Sequence, residues 1–535
     1  MSGGWDDLVG SALLGTERRR PAGMVGDPGE AAAGLLDAAA VGVVRRRAGI
    51  RPGVAGGRPK AAAEDPRAEL PAAARERLRM LLADRAGPGG AVGRRGAAPN
   101  LGELLPQWLA AARRRGYAAP PELLPALLDA ARARTDLRPE ALAFAGPRAR
   151  WLAELNPDWG YVLRTGPEGV AGPGPDGPPD LEAAARLWEE GLFAERVALL
   201  SRLRLTAPDT AVALLAATWR NERAEDRLMF VDSLRVGLST ADEPFLDQAL
   251  ADRSRNVRAT AAELLSALPG SALAARMAAR ARTCVSYTPE GIEVEAPYEC
   301  DAAMERDGVI PRPPHGRGER AWWLGQLVDS APLGMWPARF GGRTPEEIIA
   351  LPVLDEWQPD LHAAWCRAAV RQRDVAWARA LLGPPPPASA PLAPVGDPAK
   401  LLAVLPEGER AEWVASFIAG HGLSEAFQLL GVCAVPWAAP LGRAVVEALD
   451  IARDAGSYPW SFSGVMGLAE RCLDPAGAAD EVARLAAAGA EEPADGVPGA
   501  GAYWREAFQR LGATLRLRAA MLFELDAAGA PRGGG

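Results

Sequence analysis

Lysine is almost absent from this 535-residue chain: Lys60 and Lys400 are the only two. A phosphate-binding loop of the GxxxxGK kind needs a lysine at the end of a glycine-rich turn, and neither lysine stands in such a context. Histidine is nearly as scarce, with His315, His362 and His421 far apart. There is no HExxH pair, no GxSxG nucleophile elbow and no dinucleotide fingerprint. His362 and Cys366 sit at i and i+4, the spacing of two metal ligands on one helical face. Trp365 lies between them and no second pair exists, so they read as packing residues, and no metal or cofactor is expected. The five cysteines are scattered, odd in number and form no CxxC, which fits reduced thiols rather than a disulfide frame. No uncharged apolar run reaches the ~20 residues of a membrane span; the longest, near 429–442, is broken by Pro436 and Pro440. Trp5-Asp6-Asp7 stands where a signal peptide would carry basic residues. A soluble cytoplasmic protein without a membrane partner is the expectation.

Aromatics make up only 6%, yet 16 of them are Trp, so packing is concentrated in a few large anchors. Arginine carries nearly all the positive charge. Residues 1–150 hold 24 basic and 16 acidic side chains, a net of +8, whereas the rest holds 36 and 52, a net of −16. An overall charge of −8 argues against a general nucleic-acid binder. Arginine triplets at 18–20, 45–47 and 113–115 end helical stretches, where they complement the negative end of the helix dipole. The same triplets are what a nucleic-acid groove would use, provided that they converge on one surface.

Helical periodicity dominates the chain, and 58 Gly with 48 Pro divide it into short elements. Residues 1–164 read as a basic helical domain, with helices near 5–20, 30–47, 71–85, 101–115 and 121–134 and with Trp151 and Trp159 as core anchors. A Pro/Gly linker follows at 165–180. Residues 181–283 read as HEAT-like helical repeats: an offset of 31 residues brings Leu215 onto Leu246, Arg227 onto Arg258, Phe230 onto Ala261 and Leu234 onto Leu265. Asp252 is the expected partner of the recurring arginines. A third copy near 192–205 is degenerate at sequence level. Residues 284–320 interrupt the array as a β-hairpin and loop, because Ile292 and Val294 alternate with acidic residues after a Pro-Glu-Gly turn. A helical segment at 321–383, a Pro-rich linker at 384–399 and a helical block at 400–530 complete the chain. The fold class is therefore all-α: a HEAT-like α-solenoid array with flanking helical domains and a small hairpin insertion.

Five residues stand out as an interaction site. Arg306, Asp307 and His315 lie in a Gly/Pro-rich loop expected to be exposed, where charged groups over a rigid scaffold are often functional. A plain β-turn at Asp307-Gly308 is the simpler reading. Trp322 and Trp323 are adjacent and cannot both face one core stripe, so one is expected in the core and the other on the loop or at a contact surface.

The strings WDDLVGSALLGTERR at 5–19, RWLAELNPDW at 150–159, the Asp252–Leu268 repeat, and DGVI followed by ERAWWL at 307–324 resemble an uncharacterised bacterial family, common in actinomycetes, that carries a domain-of-unknown-function label. The resemblance runs along nearly the whole chain and brings no catalytic or binding residue with it. It implies a setting beside a MoxR-type AAA+ ATPase, a von Willebrand A-domain protein and a SWIM zinc-finger protein. On that basis the expected role is a non-catalytic helical-repeat scaffold or adaptor for protein–protein interaction. The alternative is a nucleic-acid-binding HEAT-like protein of the DNA glycosylase kind. A hydrolase with an unrecognised site at Asp301–His315 stands third.

Overall fold

Leu104, Leu105, Trp108, Leu109, Ala111 and Ala112 recur at helical spacing and form the buried face of the helix Leu101–Arg114, which Arg113 and Arg114 close against its dipole. The same logic recurs along the chain in the computed structural model, which describes residues 5–18, 28–49, 60–83, 101–164, 181–387, 396–488 and 500–526. Helices carry most of this structure. The linker expected at 165–180, residues 388–395 of the Pro-rich stretch 384–399, Arg19 and Arg20 lie outside the described residues, as do the side chains of Arg45 and Arg46.

The chain divides into two units, Met1–Ala63 and Glu64–Gly535. In the first, the helices Trp5–Leu14 and Pro28–Gly49 pack together, with the Trp5 ring lying over Gly42. A Cβ at Gly42 would sit 3.3 Å from that ring, so a small residue is needed there.

In the second unit, three helices begin 31 residues apart, at Phe193, Ala224 and Arg255. Each is followed by a partner helix, Pro208–Thr218, Glu243–Ala249 and Ala272–Cys284. Leu203, Leu234 and Leu265 occupy the same place in successive copies and are all fully buried. Leu215, Leu246 and Met277 do the same in the partner helices. The copy beginning at Phe193, faint in the sequence, is thus as well formed as the other two.

The expected hairpin is present: Val285–Thr288 pairs antiparallel with Gly291–Val294, Val285 opposite Val294 and Thr288 opposite Gly291. It is anchored rather than loose. The Ile292 amide donates to the Pro352 carbonyl at 2.8 Å, and the Leu354 amide donates back to Ile292 at 2.9 Å. A second strand pair joins Ala68–Glu69 in parallel to Tyr117–Ala118, both lying between the expected helices.

One hydrophobic core runs from Ala184 to Leu515, through the repeats, the hairpin and the helices beyond it. It crosses the positions where the sequence suggests breaks at 283, 320 and 384–399. A second core spans Leu70 to Val162 and is completed by Met521 and Leu525. Those two residues come from the long helix Ala500–Asp526, which also supplies Trp504, Phe508 and Leu511 to the larger core. Polar contacts fasten this return: Arg77 to Glu524 at 2.7 Å, Arg115 to Asp526 at 2.6 Å, and the Tyr117 hydroxyl to the Leu525 carbonyl at 2.9 Å.

Candidate functional site

The loop that carries the sequence candidates is held down at Asp307, Ile310 and Pro311. Asp307 is buried, not exposed as its loop composition suggests. Its carboxylate receives Arg276 at 2.9 Å and Arg280 at 2.7 Å, both from the helix Ala272–Cys284. Burial works against the charge on Arg276, but the Asp307 and Asp247 carboxylates outweigh it and hold its pKa above the usual arginine value. The two tryptophans are both used, in different places. Trp322 is partly buried and donates its indole N–H to the Ile310 carbonyl at 2.8 Å; Trp323 is buried and donates to the Pro311 carbonyl at 2.8 Å. Gln326, one turn on, accepts from the Ile310 amide at 2.8 Å. Arg306 and His315 are exposed on the surface of this loop. The five residues thus divide into three that fasten the loop and two that face solvent.

The recurring arginines give a different picture. Arg196, Arg227 and Arg258 occupy one position in the three copies, each in the first turn of its helix. Arg196 forks onto Glu222 and lies 4.1 Å from the Trp188 ring centroid. Arg227 meets Asp252 at 2.8 Å and lies 5.5 Å from the Trp219 ring centroid. Asp252 was expected to serve both later arginines, but Arg258 reaches only backbone: the carbonyls of Asp252 at 2.8 Å and Arg253 at 3.2 Å. The third copy therefore repeats the arginine without its carboxylate.

Arg258 borders a cleft of about 300 Å³ whose wall also includes Arg255, Arg312, Glu305, Ile310 and Pro311. Among the described residues none of these three arginines has an ion pair. A larger cleft of about 890 Å³ lies between Arg235, Glu263 and Leu264 on one side and Cys366, Arg367 and Arg371 on the other. Most of its charges are met internally: Arg235 by Asp232 and Glu263, Arg367 and Arg371 by Asp329 at 2.8 and 3.0 Å, and Lys400 by Asp397 at 3.7 Å, while Arg373 on the same wall has no ion pair among the described residues.

An exposed aromatic cluster lies elsewhere. Tyr458 stacks on Trp460 with centroids 4.1 Å apart, and Tyr503 meets Trp460 edge-on at 5.3 Å. Trp460 is 55% exposed and Tyr503 51%, an unusual degree of exposure for such large rings.

Other sequence candidates have structural surroundings. His362 is buried beside Trp365, its Nε2 has no hydrogen-bond partner among the described residues, and burial lowers its pKa. Burial pushes the Cys366 thiol up to about 11, the opposite of what a reactive thiolate needs. Among the described residues no group of three or more His, Cys, Asp and Glu side chains is placed to hold a metal ion. No described helix is long and apolar enough to cross a membrane. In the triplet 113–115, Arg113 is paired with Glu140 and Arg115 with Asp526.

Sequence reasoning missed the first of the two arginine–acid corners, although Trp188 and Trp219 stand 31 residues apart, as do Arg196 and Arg227. It also missed the cleft, because the residues that build it come from segments about 50 positions apart.

Comparison with known families matches residues 7–525 to the model described as a family of unknown function, DUF5691. No curated protein and no solved structure matches the chain.

Proposed function

The chain belongs to DUF5691, whose model spans nearly all of it, and we propose that it is a non-catalytic helical-repeat scaffold for protein–protein interaction. The observation that carries this reading is the 31-residue recurrence of helix starts at Phe193, Ala224 and Arg255, with matching buried positions in each copy. Units of this kind cannot bury their apolar faces alone; stacked, they make a HEAT-like α-solenoid array whose outer surface is available for a partner. The exposed Trp460 and Tyr503 supply the residue types that dominate binding energy at protein interfaces. The partner proposed is a MoxR-type AAA+ ATPase or a von Willebrand A-domain protein, within a cytoplasmic chaperone-like assembly.

Capture of the native full-length protein from its own cells, followed by identification of what elutes with it, tests this. Stoichiometric recovery of an ATPase or A-domain protein, reduced at least tenfold by Trp460→Ala, is the expected result. Recovery of abundant bystanders alone overturns it. So does a salt-dependent shift of short duplex DNA at low protein concentration, which would favour the nucleic-acid reading.

A further inference from the structure

We propose that the cleft formed by Arg255, Arg258 and Arg312 takes a carboxylate from an acidic peptide segment of a protein partner. The argument starts from the repeat itself. Copies one and two each place an arginine in the first turn of the helix and bring a carboxylate to it from the corner before the next copy, Glu222 for Arg196 and Asp252 for Arg227. Copy three keeps the arginine, but the next corner is replaced. After the helix Ala272–Cys284 the chain turns into the hairpin and the loop at 306–318 instead of an acidic corner. Glu305 and the segment Gly308–Arg312 line the space beside Arg258 instead.

That replacement changes the local charge. Arg255, Arg258 and Arg312 contribute three positive charges to the cleft wall and Glu305 one negative. In the large cleft, by contrast, carboxylates meet Arg235, Arg367, Arg371 and Lys400, whereas all three arginines of the small cleft are without an ion pair among the described residues. The arriving anion would also face the positive end of the Arg255–Ser266 dipole, where the side chain of Ser254 makes no capping hydrogen bond. Guanidinium groups bind carboxylates through paired N–H donors, as Arg196 and Arg227 already do inside this chain.

The class of ligand follows from the rest of the wall. At about 300 Å³ the cleft admits one side chain with its stem, and Val309, Ile310 and Pro311 provide an apolar lining for that stem. A phosphate dianion would meet the Glu305 carboxylate with twice the charge of a carboxylate ligand. The site therefore suits a glutamate or aspartate on an extended peptide. Only the source of that peptide, a protein partner, rests on the scaffold reading.

The test is fluorescence anisotropy of the full chain with a labelled dodecapeptide of alternating Glu and Ala, and with its Gln counterpart. The expected result is binding of the Glu peptide alone, weakened by salt and at least tenfold weaker with Arg255→Glu plus Arg312→Glu. Glu305→Gln should strengthen it several-fold, and Arg150→Glu, a distant exposed charge reversal, should leave it unchanged. Arg255 and Arg312 are exposed, so the double variant keeps its fold, which circular dichroism and the urea midpoint verify. Equal binding of the two peptides, or full affinity in the double variant, overturns the site. Displacement by inorganic phosphate at concentrations where acetate is inert also overturns it, as does preferential binding of a short duplex through the same arginines. A native partner captured equally by wild type and double variant overturns this site and leaves the scaffold standing. Peptide binding without any captured partner supports the site and removes the scaffold.

Discussion

Arg204 and Asp242 form a two-point ion pair inside the repeat region: both guanidinium Nη atoms lie 2.7 Å from carboxylate oxygens, and the side chains are 0% and 2% exposed. Arg204 also donates to the carbonyls of Val236 and Gly237, both at 2.8 Å, so it ties the first helix of copy one to the turn inside copy two. Breaking a buried pair leaves the other charge stranded. Asp242→Ala should therefore cost about 3–5 kcal/mol, read as a lowered urea midpoint. Arg204→Met with Asp242→Leu should regain only part of this, because the two carbonyls lose their donor.

The three recurring arginines should differ in worth although they share one position. Arg227→Ala removes a contact to a nearly buried carboxylate and should cost about 1.5–3 kcal/mol. Arg258→Ala removes hydrogen bonds to backbone carbonyls only and should cost about 0.5–1.5 kcal/mol. Parallel urea titrations of the two variants check the order; equal losses would mean that Arg258 has an internal partner.

Asp307 is expected to act through the loop it anchors. Asp307→Ala leaves Arg276 and Arg280 without their shared carboxylate and should lower stability by about 1–3 kcal/mol. Amide exchange should quicken in 300–320 while the helix Leu101–Arg114 keeps its protection. Unchanged exchange in that segment would show that the tryptophan N–H bonds alone suffice.

His362 gives the fold a dependence on acid. Its pKa is lowered by burial, so it is neutral in the folded chain, whereas the unfolded chain takes up a proton near about 6.5. The unfolded state then binds more protons as pH drops. The contribution of His362 is complete above about pH 6.5 and is lost as pH falls towards the lowered folded value. The urea midpoint measured from pH 7 to 5 should fall less steeply in His362→Leu than in wild type.

Much of the helical architecture is legible in the sequence because its signals are local. The apolar spacing of Leu104 to Ala112 marks a helix, and Pro289-Glu290-Gly291 between alternating residues marks the hairpin turn. What stays hidden depends on distant partners. Asp307 sits in a string of Gly, Pro and Arg that reads as exposed loop, yet its burial is decided by Arg276 and Arg280 on a helix before the hairpin. The puzzle of two adjacent tryptophans resolves only when the loop carbonyls of Ile310 and Pro311 are in place to receive both. The cleft beside Arg258 is legible in principle, as an arginine whose counterpart acid is missing at the repeat spacing. Recognising it needs the first copy, and there Leu199 stands where the second has Phe230.

The return of Ala500–Asp526 onto the front of the chain has a consequence for synthesis. Arg77 and its partner Glu524 are 447 positions apart, and Met521 and Leu525 complete the core built by Leu70 to Val162. At about 5–20 residues per second a ribosome needs roughly 20–90 seconds to cover that interval. Throughout it the early helices leave apolar surface uncovered, a natural holding point for a chaperone. Maturation of the front core thus waits for the helix Ala500–Asp526 to be made, and a nascent chain stalled before residue 500 should remain protease-sensitive there however long it waits.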